Sequence, residues 1–270
     1  MNRFSLVGKN VLITGATGLL GQVFCQALAE SGAQLALVDR DLNQVLELAK
    51  NLTNKYPKQL FKAYACDISN EEQVIGLVRS CETDFKNIHV LHNNAASKGQ
   101  DINRFFDPFE NFSLDVWREI MSVNVDGCFL MAKHVGAHMV KNKISGSIIQ
   151  TASIYGVVAP DQRIYEGSQY LGRPINTPAV YSVSKAAVIG LTSYLSTYWG
   201  AQGIRVNTLT PGGIESGQND IFKNKYSNRV PMGRMGNSDE LVGALLFLAS
   251  DASTYVNGQN LIVDGGLSVW

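Results

Sequence analysis

Short apolar runs alternate along the chain with longer stretches of helical period. Residues 10–14, Asn-Val-Leu-Ile-Thr, have strand length and lead at once into Gly15-Ala16-Thr17-Gly18-Leu19-Leu20-Gly21 and a helical pattern that closes near Ser31-Gly32. Residues 34–38 repeat the strand signal and end in Asp39. Further strands are predicted at 60–66, 88–92, 146–151, 205–209 and 260–263, with helices near 70–85, 114–141, 181–200 and 238–250 between them. Seven strands alternating with helices predict right-handed crossovers, and hence an α/β fold: one doubly wound parallel sheet with helices on both faces. Ligands of such sheets bind at the carboxyl ends of the strands, where Gly15, Asp39, Asp67 and Asn93 fall.

Two stretches break the alternation. Residues 154–180 carry Asp161, Arg163, Tyr165, Glu166, Tyr170 and Arg173, too polar a set for core, and read as a cover over the substrate or as a solvated loop. Residues 214–236 show no clear period and read as a lid. A polar and aromatic loop at 97–111 is also unusually long. No linker, internal repeat or low-complexity segment divides the 270 residues, so a single domain is expected.

The balance of 23 basic and 23 acidic residues, without a basic stripe, argues against nucleic acid and for a small-molecule partner. Cys25, Cys66, Cys81 and Cys128 show no CxxC or zinc-like spacing. With no signal peptide and no membrane-length apolar run, this predicts a reduced cytoplasmic protein that does not span a membrane. His134 and His138 stand four apart on a predicted helix but lack a third ligand, so surface or interface histidines are expected rather than a metal site.

Strand, glycine loop, helix is the context a phosphate-binding turn requires. Gly15 permits the tight turn, Gly18 lets backbone N–H groups approach a pyrophosphate, and Gly21 allows close helix packing. Asp39, eighteen positions after Gly21, is placed to accept hydrogen bonds from an adenosine ribose; its plainer role is to cap the helix that follows. A carboxylate there repels a 2′-phosphate and favours NAD, whereas the neighbouring Arg40 would hold that phosphate and favour NADP. Tyr181 and Lys185 lie four apart and share a face if helical, where the ammonium would lower the phenol's pKa toward the range of a working acid or base. Ser153 stands just past a strand end, a place for a substrate-binding hydroxyl or an ordinary turn.

Together these residues resemble the short-chain dehydrogenase/reductase family over nearly the whole chain, from the Gly15 loop to Asp264-Gly265-Gly266. Tyr181-x-x-x-Lys185, Ser153 in Ser-Ile-Tyr-Gly and Asn124 in Val-Asn-Val match the family's catalytic positions, and Asn93-Asn94-Ala95-Ala96 and Pro211-Gly212-Gly213-Ile214 match two cofactor elements. The resemblance implies a Rossmann fold and hydride transfer between a nicotinamide and an alcohol or ketone. Tyr181 would exchange the proton, Ser153 bind the substrate oxygen, Lys185 hold the nicotinamide ribose and Asn124 hold a water. It further implies cofactor contacts from Gly15, Thr17, Gly18, Leu19, Leu20, Gly21, Asp39, Arg40, Asp67, Ile68, Asn94, Ala95, Ala96, Tyr181, Lys185, Pro211, Gly212, Gly213 and Ile214, and a homotetramer or homodimer formed through the helices near 114–141 and 181–200 and the strand near 260–263.

Three departures stand out. The Gly15-x-x-Gly18-x-x-Gly21 spacing is more usual in the family's longer sugar-nucleotide-modifying members, Ala96 replaces a glycine, and 28 positions separate Ser153 from Tyr181 where the family norm is much shorter. A weaker resemblance, in residues 153–161 and 212–214, is to members associated with flagellin and surface-sugar modification. Polar side chains in the long gap suit a sugar-like substrate better than a steroid or acyl chain, because an apolar ligand would desolvate them without replacing their hydrogen bonds. An epimerase or dehydratase that retains its NAD, and a non-enzymatic NAD sensor, are the competing functions. The complete Asn124, Ser153, Tyr181, Lys185 set argues against the sensor.

Overall fold

The computed structural model describes residues 2–170 and 172–270. Its elements are β1 (Asn10–Thr14), α1 (Leu19–Glu30), β2 (Gln34–Asp39), α2 (Leu42–Lys55), β3 (Phe61–Ala65), α3 (Glu71–Phe85), β4 (Val90–Asn93), α4 (Ile102–Phe105), α5 (Leu114–Met121), α6 (Cys128–Lys141) and β5 (Ser147–Thr151). There follow β6 (Gln169–Tyr170), β7 (Arg173–Pro174), α7 (Ala179–Trp199), β8 (Arg205–Pro211), α8 (Asp220–Ser227), α9 (Val242–Ala249) and β9 (Asn260–Val263). Seven strands form one parallel sheet in the order β3-β2-β1-β4-β5-β8-β9, so the expected doubly wound Rossmann sheet is present. The order reverses between β1 and β4, and a crevice opens there at the carboxyl ends of the strands.

Both faces of the sheet are covered, which is why β1, β2 and β5 are buried at consecutive positions rather than at alternate ones. Successive side chains still take opposite faces. Val11 and Ile13, Leu35 and Leu37, and Ile149 pack with α1 and α9 through Phe24, Leu28, Leu245 and Leu248. Leu12, Ala36, Val38, Leu91 and Ile148 pack with α3, α6 and α7 through Leu77, Met131, Val135, Leu195 and Trp199. Helix starts follow side-chain caps: Asp41 accepts from the amides of Asn43 and Gln44 at the head of α2, and Asn70 from that of Gln73 at α3.

The structure departs from the sequence expectation in three places. Residues 154–180 are not wholly polar surface: Ile154 and Ile164 are buried in a small third core with Phe222, Tyr226, Val230, Met235 and Leu267, and β6 and β7 form an antiparallel hairpin beside the main sheet. Residues 214–236 contain α8, whose buried Phe222 and Tyr226 lie one helical turn apart and whose N-cap Asn219 accepts from the Phe222 amide. His138 is buried rather than superficial. Its Nδ1 bonds Glu82 of α3 at 2.7 Å and its Nε2 accepts from the Ile88 amide, while His134 pairs with Glu71 at 2.9 Å. All four cysteines are free and buried, and among the described residues no helix is long and apolar enough to cross a membrane.

The α6–α7 contact sets a testable packing limit. A Cβ at Gly136 would stand 2.2 Å from Cη2 of Trp199, so Gly136→Ala forces the indole to move. Overpacking of this kind costs about 1–3 kcal/mol, and the thermal midpoint of the variant is expected to fall by several degrees. An unchanged midpoint in calorimetry would contradict this packing.

Candidate active site

The glycine loop leaves β1 in the way a phosphate cradle requires. Gly15 has φ +65°, and a Cβ on it would meet Ala95 Cα at 2.8 Å; a Cβ on Gly21 would meet the Gly15 carbonyl at 2.0 Å. Gly18 is exposed and is the N-cap of α1, whose first turn has no side-chain cap. The positive end of that helix is thus open to an anion, with Thr17, Leu19 and Leu20 around it. These residues fit a dinucleotide pyrophosphate, since the loop is closed to side chains and the helix terminus is left without one.

Asp39 ends β2 beside this loop. Its Oδ2 accepts from the Thr17 amide at 3.0 Å and hydroxyl at 2.6 Å, and its Oδ1 accepts from the Arg40 amide at 2.8 Å. It does not cap α2, because Asp41 does. Arg40 is exposed. Asp67, after β3, accepts from the Ser69 amide and hydroxyl, and Ile68 is buried against Gly127. After β4, the Thr14 hydroxyl accepts from the amides of both Asn94 and Ala95 at 3.1 Å, and the Asn94 side chain donates to the Thr14 and Gly15 carbonyls. Ala96 is exposed beyond them.

The four proposed catalytic residues come from three elements that converge on the end of β5. Ser153 follows β5 and is 7% exposed. Tyr181 and Lys185 lie one turn apart near the start of α7, and the Ser153 hydroxyl lies close enough to the Tyr181 phenol to favour its ionised form. Lys185 is 5% exposed and its Nζ donates to the Thr151 carbonyl at 2.9 Å. Asn124 sits in a π turn (Ser122–Gly127) that joins α5 to α6 as one continuous run. Its Oδ1 accepts from the Ser97 amide at 2.7 Å, and its Nδ2 donates to the Ser97 carbonyl and toward the Ser184 hydroxyl, next to Lys185. An extra residue in the turn re-aims one side chain out of the helical register, a frequent device at functional sites.

Burial sets the protonation states. The Tyr181 phenol is pushed up from its ordinary value by desolvation, with the Ser153 hydrogen bond pulling it down. This corrects the expectation that the Lys185 charge dominates: the ammonium is held on the Thr151 carbonyl, and burial itself pushes Lys185 down.

Past β8, Gly212 lies so close to Asp264 that a Cβ would meet its Cα at 2.7 Å. Gly213 donates its amide to the Tyr226 phenol, and Ile214 forms a parallel bridge with Gly236. Only part of the set expected at the pocket mouth is brought together. Tyr165 and Glu166 line a cleft of about 740 Å³ with Phe109, Phe112, Asn176 and Ser182, to which Asn124, Ser153, Tyr181 and Lys185 do not contribute. Asp161 instead pairs with Arg163 at 2.8 Å and Arg229 at 3.7 Å, which holds its carboxyl down at about 2. Arg173 is exposed, and the Tyr170 side chain lies outside the described structure. Sequence reasoning missed Thr14, the Thr151 carbonyl and Tyr226. A threonine closing each of the two strands that flank β4 was the available signal for the first two.

The sequence model of the family described as enoyl-(acyl carrier protein) reductase matches residues 15–268. A protein of Pseudoalteromonas atlantica named 2-dehydro-3-deoxy-D-gluconate 5-dehydrogenase is 33% identical over 280 residues, covering 98% of each chain. The crystal structure of a gluconate 5-dehydrogenase from Burkholderia cenocepacia J2315 in complex with NADP and tartrate has 33% identity and a TM-score of 0.86, covering 100% of this chain and 98% of that one. A short chain dehydrogenase from Leptospira borgpetersenii with bound NAD+ has 33% identity and a TM-score of 0.82, covering 97% and 93%.

Proposed function

The chain belongs to the short-chain dehydrogenase/reductase family and is an oxidoreductase of CH–OH groups, and from that premise we propose that it oxidises or reduces one carbinol carbon of a small polyhydroxylated, sugar-like substrate with NAD(H). The observation that carries this reading is the convergence of Ser153, Tyr181, Lys185 and Asn124 at the carboxyl end of β5, beside an open glycine loop. When bound, a nicotinamide dinucleotide supplies the hydride acceptor or donor. The protein's own residues do the rest. Ser153 orients the substrate oxygen by hydrogen bonding. Tyr181 takes that oxygen's proton in oxidation and returns it in reduction, and Lys185, fixed on the Thr151 carbonyl, places a positive charge one turn away. Asn124 holds the Ser97 backbone at both its amide and its carbonyl.

NAD is preferred to NADP in this reading because the Asp39 carboxylate is fixed by three hydrogen bonds at the end of β2, while Arg40 stands exposed. A 2′-phosphate would face an immobile negative charge. The insertion at 154–180 and the segment at 214–236 share the third core, which supports reading them as one substrate cover. Assembly through paired helices is supported by exposed Phe129 on α6 and Val183, Tyr194 and Tyr198 on α7. The sugar acids in the relatives' names and a modified surface sugar belong to the same chemical class of substrate. A site that works in the cytoplasm needs no disulfide, in keeping with four buried free thiols.

Sugar acids and polyols offered with NAD+ are expected to generate reduced nicotinamide, and Tyr181→Phe to lower that turnover by at least ~10²-fold with cofactor affinity unchanged. Near-wild-type turnover in the variant removes Tyr181 from the mechanism. The pH dependence has a definite sign. Oxidation needs the phenolate and reduction the phenol, so with the phenol raised by burial above its ordinary value of about 10, oxidation climbs between about pH 7 and pH 10 while reduction, whose acid stays protonated, is level across the same range. Oxidation that slows across this range contradicts the assignment.

For the cofactor, titration of both dinucleotides is expected to give tighter binding of NADH than NADPH, and Asp39→Ala to cut that preference by roughly tenfold. Tighter NADPH binding by the unmodified protein would show that Arg40 outweighs Asp39.

A further inference from the structure

Residues 214–236 leave the sheet after β8 and return to it, with both ends pinned. Ile214 bridges Gly236, the Glu215 amide donates to the Gly236 carbonyl at 2.8 Å, and the Gly236 amide donates to the Gly213 carbonyl at 2.9 Å. From the far side of this loop, Tyr226 of α8 reaches back over Gly213. The Gly213 amide donates to its phenol oxygen, and a Cβ at position 213 would lie 2.4 Å from its Cζ. Only glycine allows the ring so close. Yet glycine does not restrict its own backbone, so the direction of the 213 amide is selected by the acceptor it finds. That acceptor is itself fixed: Tyr226 is 3% exposed and its phenol is pushed up by burial to about 12, so it stays neutral.

The ring is held from behind by the insertion. Phe222 packs on Tyr226 at 5.8 Å between centroids and stacks on Tyr165 at 5.3 Å. Lys225, on the same helix, donates to the carbonyls of Arg163 at 3.1 Å and Glu166 at 2.8 Å, and the Ser168 hydroxyl donates to Asn219. A continuous path of contacts therefore runs from the insertion through α8 to one backbone amide at the end of β8. β8 neighbours β5, which leads into Ser153, while Asp39 closes β2 on the other side of the crevice. Gly213 thus stands at the reacting end of the site and not at the adenosine end.

We propose that Tyr226 is a positioning residue for the Gly212-Gly213-Ile214 segment, and that through Phe222 and Tyr165 it makes this segment's hold on the nicotinamide half of the dinucleotide depend on the insertion. The proposal rests on the dinucleotide reading above. It separates Tyr226 from a purely structural core residue, since a core residue has no reason to distinguish one half of the cofactor from the other.

The test compares binding of NADH with binding of ADP-ribose, which lacks the nicotinamide, by fluorescence or calorimetric titration. If the unmodified protein binds NADPH more tightly, NADPH and 2′-phospho-ADP-ribose serve instead. Tyr226→Phe keeps the ring and removes the acceptor. It is expected to weaken the dinucleotide about tenfold and leave the ADP-ribose ligand unchanged, with the thermal midpoint nearly preserved. Phe222→Leu, which loosens the ring without touching the hydrogen bond directly, is expected to give the same pattern at about threefold. Unchanged dinucleotide affinity in Tyr226→Phe, or equal weakening of both ligands, overturns the proposal and leaves the dehydrogenase reading standing. An unmodified protein that binds neither ligand overturns both.

Discussion

All seven strands of the main sheet run in the same direction, and the site follows from that constraint. Parallel neighbours cannot be joined by a tight turn, so each connection returns over a face of the sheet, and every strand hands its chain to a loop at the same edge. Gly15, Asp39, Asp67, Asn94, Ser153 and Gly212 are scattered along the sequence but stand in one row for this reason. The reversal of strand order between β1 and β4 parts the connections and leaves the crevice open along that row. Covering both faces also buries the sheet, so the polar groups at its edge meet a drier environment than surface loops would give them.

That dryness decides the electrostatics at the end of β5. An ammonium with 5% exposure is costly unless it has acceptors, and the Thr151 carbonyl supplies one to Lys185. The same burial holds the Tyr181 phenol neutral in the absence of ligands. A site arranged this way carries its proton until substrate and cofactor change the local charge, with the Ser153 hydroxyl as the neighbour that favours the phenolate. The π turn at Asn124 belongs to the same economy of space. A regular helix from 114 to 141 would carry that side chain elsewhere, and the Ser97 amide would lose its acceptor.

The frame was legible because its signals are local. The run at 10–14 and that at 260–263 coincide with β1 and β9, and Asn70 caps α3 where the pattern places its start. The spacing of Tyr181 and Lys185 places them on one face if the stretch is helical, and α7 provides the helix. What the sequence could not reveal depends on contacts between distant segments. The insertion reads as polar, but Ile164 and Tyr165 find Phe222 nearly sixty residues away and pack against it. α8 is short and mostly polar, so Phe222 and Tyr226 gain their meaning only from what they face. The pKa of Tyr181 could not be read from charge spacing because desolvation, which needs the whole fold, outweighs the neighbouring lysine. His138 looked superficial because Glu82 and Ile88, which satisfy it, lie on other elements.

In the proposed reaction the carbinol hydrogen of a sugar-like substrate leaves as hydride to a dinucleotide that is then released. A substrate deuterated at the reacting carbon, turned over with excess NAD+ and followed by mass spectrometry, tests this directly. The expected result is one deuterium in the released reduced dinucleotide for each molecule of ketone or aldehyde formed. Deuterium retained in an isomerised or dehydrated product, with no labelled dinucleotide in solution, would contradict it and identify a protein that keeps its NAD bound.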